Sequence, residues 1–291
     1  MKILITGSNG QMGQEFQLIA QRDPVNHYLF TDIEELDITD ANAVSGMIRK
    51  EKPHFIINCA AYTAVDNAEN DREKAFLING EAVKILAKAA NKTNTLIVQV
   101  STDYVFDGTN AVPYKEDDPA KPVSIYARSK YEGERSMTGH ANRGIIIRTS
   151  WLYSSFGHNF VKTILRYGRE RESLNVIYDQ IGTPTYARDL CETIHLILPS
   201  LKDHAGVDIY HYANEGVASW YDFAKAIVEL ARLQCKVHPI ESSEYPQLAS
   251  RPFYSVLNKT KMKKRFGIAI PYWRESLQDC IHKLRDEGMK G

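Results

Sequence analysis

Along the first half of the chain, short apolar runs alternate with stretches whose apolar residues recur every three or four positions. Residues 2–6, carrying Ile3, Leu4 and Ile5, read as a strand, and residues 12–21 as a helix. A second strand is predicted over 28–32, then a helix over 41–51 with Thr39 and Asp40 as capping candidates. Residues 55–59 form a short apolar run of the kind buried in a parallel sheet. A long helix is predicted over 73–92, where Ala75, Ile78, Ala82, Ile85, Leu86 and Ala89 fall at helical spacing. Strands over 95–101 and 144–149 complete the series. Strand, helix, strand in this order implies right-handed crossovers and predicts an α/β fold with a doubly wound parallel sheet.

Beyond about Thr149 the alternation loosens. Helices are predicted over 159–171, 186–198 and 220–233, separated by loops containing Gly and Pro, with a strand over 207–213. Residues 258–266 and 273–287 read as two short helices. The expected organisation is a sheet domain over 1–150, joined by elements from about 187–213. A smaller C-terminal α/β substrate lobe would be built from 151–186 and 214–291. That lobe is expected against the carboxyl edge of the sheet, where such folds bind ligands.

Composition narrows the classes. Apolar residues make up 43% of the 291 and aromatics 10%, which excludes a disordered chain. Lys plus Arg and Asp plus Glu are both 36, so no bulk field recruits nucleic acid or an anionic membrane. A local basic patch for a phosphorylated ligand remains open. No apolar stretch approaches the roughly 20 residues of a membrane helix, and the first residues enter a strand at once. A cytoplasmic protein with neither membrane nor nucleic-acid partner is expected. Cys59, Cys191, Cys235 and Cys280 are widely spaced and form no CxxC pair, so no disulfide framework is expected. Cys280 and His282 alone do not make a zinc site.

The turn after the first strand, Gly7-Ser8-Asn9-Gly10-Gln11-Met12-Gly13, carries glycines at a GxxGxxG spacing. Such a turn permits close approach of backbone to a pyrophosphate at a helix N-terminus, and a purely structural turn reads the same way. Asp32 ends the second strand, where an acid can accept hydrogen bonds from an adenosine ribose. Glu34, Glu35 and Asp37 follow it with no Lys or Arg before Asp40, so a ribose 2′-phosphate would meet negative charge. This leans toward NADH over NADPH.

Tyr126 and Lys130 stand at i and i+4, on one face if helical, with Cβ atoms about 5–6 Å apart. A free tyrosine has a pKa of about 10, and a neighbouring ammonium is expected to lower it. Ser101 and Thr102 end a buried strand, where either hydroxyl could bond a substrate carbonyl.

Glycine turn, strand-end hydroxyl and Tyr–x–x–x–Lys, in that order, resemble the extended short-chain dehydrogenase/reductases. More narrowly, residues 58–69, 101–108, 148–153, 179–185 and 251–258 are similar to dTDP-4-dehydrorhamnose reductases. The similarity runs from Met1 to about Trp273. It implies a Rossmann-like dinucleotide-binding domain and reduction of the 4-keto group of dTDP-4-dehydro-L-rhamnose, with NADPH or NADH as cofactor, in the last step toward dTDP-L-rhamnose. By resemblance Tyr126 donates the proton, Lys130 tunes it and binds the nicotinamide ribose, and Thr102 orients the ketone. Gly7, Gly10, Gln11, Met12, Gly13, Asp32, Asp37, Ile38, Ala61, Tyr62 and Thr63 fall where the family binds the dinucleotide. Thr102, Asp103, Tyr104 and Trp151 fall where it binds the nucleotide-sugar, and Arg251 is the expected clamp on the substrate diphosphate. Some members form a metal-bridged dimer through glutamates. Glu15 matches one such position, while Arg188 stands at another, so no metal is expected and the chain is expected to be a monomer or weak homodimer.

Three other readings compete. A 4,6-dehydratase on the same scaffold needs an acid–base pair after the threonine, but Tyr104 follows Asp103. Another sugar-nucleotide 4-ketoreductase would share the same residues. A non-catalytic reductase-like regulatory subunit would not need Thr102, Tyr126 and Lys130, all of which are present.

Overall fold

Strands covered on both faces need no polar alternation, and the central sheet is made of such strands. The computed structural model describes residues 1–288. It opens with β1 (Lys2–Thr6), α1 (Gln11–Arg22), β2 (His27–Thr31), α2 (Ala41–Glu51) and β3 (Phe55–Asn58). Next come α3 (Arg72–Phe76) and α4 (Ala82–Asn91), joined by one π-helical turn, Leu77–Glu81. β4 (Leu96–Thr102), α5 (Ile125–His140) and β5 (Arg143–Thr149) follow. The second half contributes β6 (Leu152–Tyr153), α6 (Phe160–Glu170), β7 (Ser173–Ile177), β8 (Ile181–Gly182), β9 (Thr185–Tyr186) and α7 (Ala187–Ile197). It ends with β10 (Gly206–His211), β11 (Ala218–Ser219), α8 (Trp220–Leu230), β12 (Lys236–Ile240), α9 (Thr260–Phe266) and α10 (Trp273–Gly288).

Six of these strands form one parallel sheet in the order β10-β5-β4-β3-β1-β2. The chain leaves β1 toward β2 on one side and later returns to β3, β4 and β5 on the other. The crevice beside β1, at the carboxyl ends of the strands, is therefore the topological switch point where such sheets bind ligands. Ile3, Ile5, Val98 and Ile145 face α1 and α7, while Leu4, Ile56, Ile97 and Ile146 face α2, α4 and α5. Each such fully buried side chain contributes about 1.5–3 kcal/mol. A separate core joins α6, α8 and α10 to the parallel pair β7–β12 through Val161, Phe223, Ile227, Val237 and Leu277.

The structure departs from the pattern-based reading in specific places. α2 is capped by Asp40 alone, whose Oδ1 accepts from the N–H of Asn42 at 2.8 Å and of Ala43 at 3.1 Å. Thr39 spends its hydroxyl on Asp37 instead. The last helix agrees with its expected span of 273–287 to within one residue, as α10. The β7–β12 pair carried no turn signal or alternation strong enough to mark it. Among the described residues no helix is long and apolar enough to cross a membrane.

Candidate active site

The three glycines of the first turn do three different things. Gly7 has φ +67°, and a Cβ there would lie 2.6 Å from the Ala60 nitrogen. Gly13 supports packing, since its Cβ would lie 2.4 Å from Ser8 Cα, and it does not face the cleft as expected from the resemblance. Gly10 lines the crevice and caps α1 with no side-chain hydrogen bond. By contrast α2, α5, α6 and α8 are capped by Asp40, Ser124, Asn159 and Ser219. The first-turn N–H groups of α1 thus open onto the crevice with the positive end of the helix dipole, as a diphosphate requires. Gln11 and Met12 line the same space.

Two clefts flank this turn and share Gly10, Cys59 and Ala61, so they make one groove. One, of about 540 Å³, is lined by Asp32, Asp37, Ile38, Leu77 and Ile78, an apolar slot with carboxylates at its rim that suits an adenosine. Asp32 already accepts the N–H of Asn9 at 2.8 Å through Oδ2 and of Ile33 at 2.9 Å through Oδ1, leaving further lone pairs for a ribose. Lys74 lines the same cleft, a cation that the acidic run after β2 gave no hint of. Tyr62 lines neither cleft. Its peptide is held instead by Asn79, which accepts the Tyr62 N–H at 2.9 Å and donates to its carbonyl at 3.0 Å. Asn79 lies in the π-helical turn, is 2% exposed, and also donates to Ser129 Oγ on α5. Sequence reasoning missed this residue; the only signal is an Asn inside an otherwise apolar helical stripe.

The other cleft, of about 580 Å³, holds the reactive side chains Thr102, Asp103, Tyr104, Tyr126 and Lys130, with Thr63 at its edge. α5 brings Tyr126 and Lys130 together from a start fixed by Ser124 Oγ, which accepts the Ala127 N–H. Of the two strand-end hydroxyls, Ser101 is spent on Glu134 at 2.6 Å, and Glu134 in turn grips Arg148 at 2.7 Å. Thr102 lines the cleft beside Tyr126 and donates to Asp103 Oδ1 at 3.1 Å. Lys130 Nζ donates to the Val100 carbonyl at 2.7 Å.

The expected lowering of the Tyr126 pKa by Lys130 is not what this geometry produces. Burial pushes the phenol up to about 12, opposed by the Thr102 hydroxyl and reinforced by Asp103. Lys130 is itself pulled down to about 8 by burial, with Glu134 favouring its charge. A nearby ammonium cannot outweigh the desolvation of a phenolate here. The consequence is a firmly protonated phenol, the form a proton donor needs.

Trp151 closes the cleft with a backbone φ of 47°, uncommon for a bulky residue. Its indole stacks on Trp220 at 3.6 Å between centroids and 7° between planes. Trp220 also borders a third cleft of about 650 Å³, which reaches Tyr167, Arg171, Gln247 and Arg251. Arg251 spends its fork on Asp66, with Nη2 at 2.6 Å from Oδ2 and Nη1 at 3.1 Å from Oδ1, and on Gln247. It therefore ties the 247–251 segment to the loop after β3, and only its remaining donors face the cleft. Glu15 is 1% exposed, accepts from Ser154 Oγ at 2.6 Å, and lies 3.7 Å from Lys283 Nζ. Arg188 is exposed.

The family model described as RmlD substrate binding domain matches residues 1–286. The dTDP-4-dehydrorhamnose reductase of Aggregatibacter actinomycetemcomitans is 41% identical over 286 residues, covering 96% of this chain and 97% of that one. The chain belongs to the dTDP-4-dehydrorhamnose reductase family. The Escherichia coli K12 member is 36% identical, with 98% of each chain covered. In structure, the chain is similar to a dTDP-4-dehydrorhamnose reductase of Bacillus anthracis solved in complex with NADP. The TM-score is 0.91 and the identity 38%, over 97% of this chain and 99% of that one.

Proposed function

We propose that the protein is an NAD(P)H-dependent oxidoreductase that reduces the 4-keto group of dTDP-4-dehydro-L-rhamnose to give dTDP-L-rhamnose. The observation that carries this reading is that Thr102, Tyr126 and Lys130 line one cleft beside a helix N-terminus with no side-chain cap. The dinucleotide, when bound, supplies the hydride. Gly10, Gln11 and Met12 would hold its diphosphate, Asp32, Asp37 and Ile38 its adenosine, and Ala61, Thr63 and Lys130 its nicotinamide ribose. Thr102 orients the ketone and Tyr126 protonates its oxygen as charge develops there. Trp151 presents a flat apolar wall to the deoxysugar. The cleft beyond Trp220 is wide enough for the thymidine diphosphate, with Arg171 and the free donors of Arg251 near its phosphates. This division of labour assigns the sheet side, over 1–150 with 187–213, to the dinucleotide and the remaining lobe to the sugar nucleotide.

The test is to supply dTDP-4-dehydro-L-rhamnose and follow NADH and NADPH absorbance separately. Both dinucleotides are expected to be consumed, with NADH favoured by the acidic rim. A preference for NADPH above about tenfold, or 1.4 kcal/mol, would show that Lys74 dominates that rim. No consumption of either would refute the reading.

A further inference from the structure

Gly10, Gln11 and Met12 offer a diphosphate backbone N–H groups and the positive end of a helix, but no cation. Among the described residues, Lys130 is the one Lys or Arg lining that cleft, and its Nζ is bonded to the Val100 carbonyl. A doubly charged diphosphate gains from a charged donor as well as from a helix N-terminus.

The second lobe reaches this place through the turn between β6 and α6. Asn159 locks the turn and docks it on α1. Its Nδ2 donates to the Ser154 carbonyl at 2.7 Å, to the Phe156 carbonyl at 3.2 Å and to Gln11 Oε1 at 3.0 Å. Its Oδ1 accepts the Lys162 N–H at 3.2 Å. Gly157, at φ +63°, runs so close to α1 that a Cβ would lie 3.1 Å from Gln11 Cγ. His158 is therefore held between two residues that abut Gln11, and it lines the same cleft. It is exposed, and its one ring contact among the described residues is Nε2 to Thr163 Oγ1 at 3.4 Å. That distance is long for a hydrogen bond, and Thr163 already donates to the Asn159 carbonyl at 3.0 Å. The fold makes little use of this imidazole.

The titratable groups that share the cleft with it are Cys59, Asp103, Tyr104, Tyr126 and Lys130. Outside the cleft, Lys162 on α6 donates to the Ser155 carbonyl at 3.2 Å. Lys283 on α10 lies 3.7 Å from Glu15 and 4.2 Å from the Phe156 ring centroid. Both of these cations are engaged within the protein.

We propose that His158 is a dinucleotide-binding residue, its imidazole supplying from the second lobe the charged donor that the diphosphate lacks on the sheet side. The proposal rests on the ketoreductase reading and on the diphosphate lying at Gly10, Gln11 and Met12. It amends the division between the lobes, because the dinucleotide is then gripped from both sides, by α1 and by the turn before α6. An imidazolium donates through both ring nitrogens, so either can serve a phosphate oxygen.

The test is binding to the full chain without sugar nucleotide, with ADP-ribose followed by calorimetry and adenosine by ligand-observed NMR. ADP-ribose affinity is expected to weaken about three- to tenfold in His158→Gln. It should weaken further in His158→Glu and be held or tightened in His158→Lys. Adenosine, which has no diphosphate, should bind all these proteins alike. Added salt should close the gap between wild type and His158→Gln, since an exposed charge is screened. Lowering the pH should widen it, since an imidazole takes up a proton in that direction. Equal ADP-ribose affinity in wild type, His158→Gln and His158→Glu overturns the proposal. So does a loss that ignores both salt and pH, which would mean that the turn had merely shifted. A changed KM for the keto sugar with ADP-ribose affinity unmoved would hand His158 to the sugar nucleotide and overturn it too. Failure of the wild type to bind ADP-ribose would instead overturn the placement of the diphosphate. Failure to consume dinucleotide with the keto sugar would overturn the ketoreductase reading.

Discussion

At Tyr126, burial and hydrogen bonding pull in opposite directions, and burial wins. The phenol sits near 12 with only Thr102 favouring its ionised form. For a group that must give up a proton to a nascent alkoxide, this is a workable starting point, because the alkoxide is the stronger base. Tyr126→Phe keeps the ring and its edge contact with Tyr104, whose centroid is 6.0 Å away, and removes only the donor. Turnover is expected to fall by roughly 10²–10⁴, with binding of NADH and dTDP-sugar held within a few-fold in equilibrium titrations. A near wild-type rate would move the acid's role to Thr102 or Tyr104. Lys130→Met should lower turnover and also weaken dinucleotide binding, since it removes a buried charge and one of the donors to the Val100 carbonyl, leaving Gln99 Nε2 on it.

Among the elements, the segment 179–185 explains how a strained tryptophan is held in place. Ser150 Oγ donates to the Thr183 carbonyl at 2.7 Å, and the Thr185 N–H donates to the Trp151 carbonyl at 3.2 Å. Between these two ties, Gly182 lies flat against the indole, and a Cβ there would come 2.6 Å from Trp151 Cε2. The glycine of the Asp179-Gln180-Ile181-Gly182 run is thus a space left for the wall of the sugar site. Gly182→Ala should push the indole off Trp220 and cost about 1–3 kcal/mol in urea unfolding. KM for the sugar nucleotide should rise while NADH affinity is unchanged, and the tryptophan fluorescence should shift. An unaltered KM would remove Trp151 from substrate binding.

Over the whole molecule, the two lobes are stitched by buried polar contacts, and one of them bears on metal dependence. Glu15 on α1 receives the Ser154 hydroxyl and faces the Lys283 ammonium from α10, which also lies 4.2 Å from the Phe156 ring centroid. A divalent ion would have to displace a cation of this same chain. Activity is therefore expected to be insensitive to EDTA, and the sedimentation behaviour of the protein to be the same before and after chelation. Loss of activity and of a dimer on chelation, restored by magnesium, would sink this expectation.

What the sequence determined by itself is everything carried by period and order. Apolar runs buried on both faces marked β1, β3, β4 and β5, and the glycine turn after β1, the hydroxyls ending β4 and the Tyr126–Lys130 pair on α5 are brought to one edge by the sheet topology. Local chemistry also sufficed for Asp40 as the cap of α2. What only the tertiary structure decided are the matters of burial and partner choice. Which of Ser101 and Thr102 serves the phenol depends on Glu134, buried there by Arg148 from a neighbouring strand. The pKa of Tyr126 follows desolvation, a property of the closed cleft that i,i+4 spacing cannot express. Arg251 meets Asp66, 185 residues away in the chain, before it meets any phosphate. α5 is polar along much of its length and packs through Gly133, where a Cβ would lie 2.2 Å from the Asn79 carbonyl oxygen. A contact made by leaving a side chain out has no hydrophobic signature, so only the folded chain reveals it.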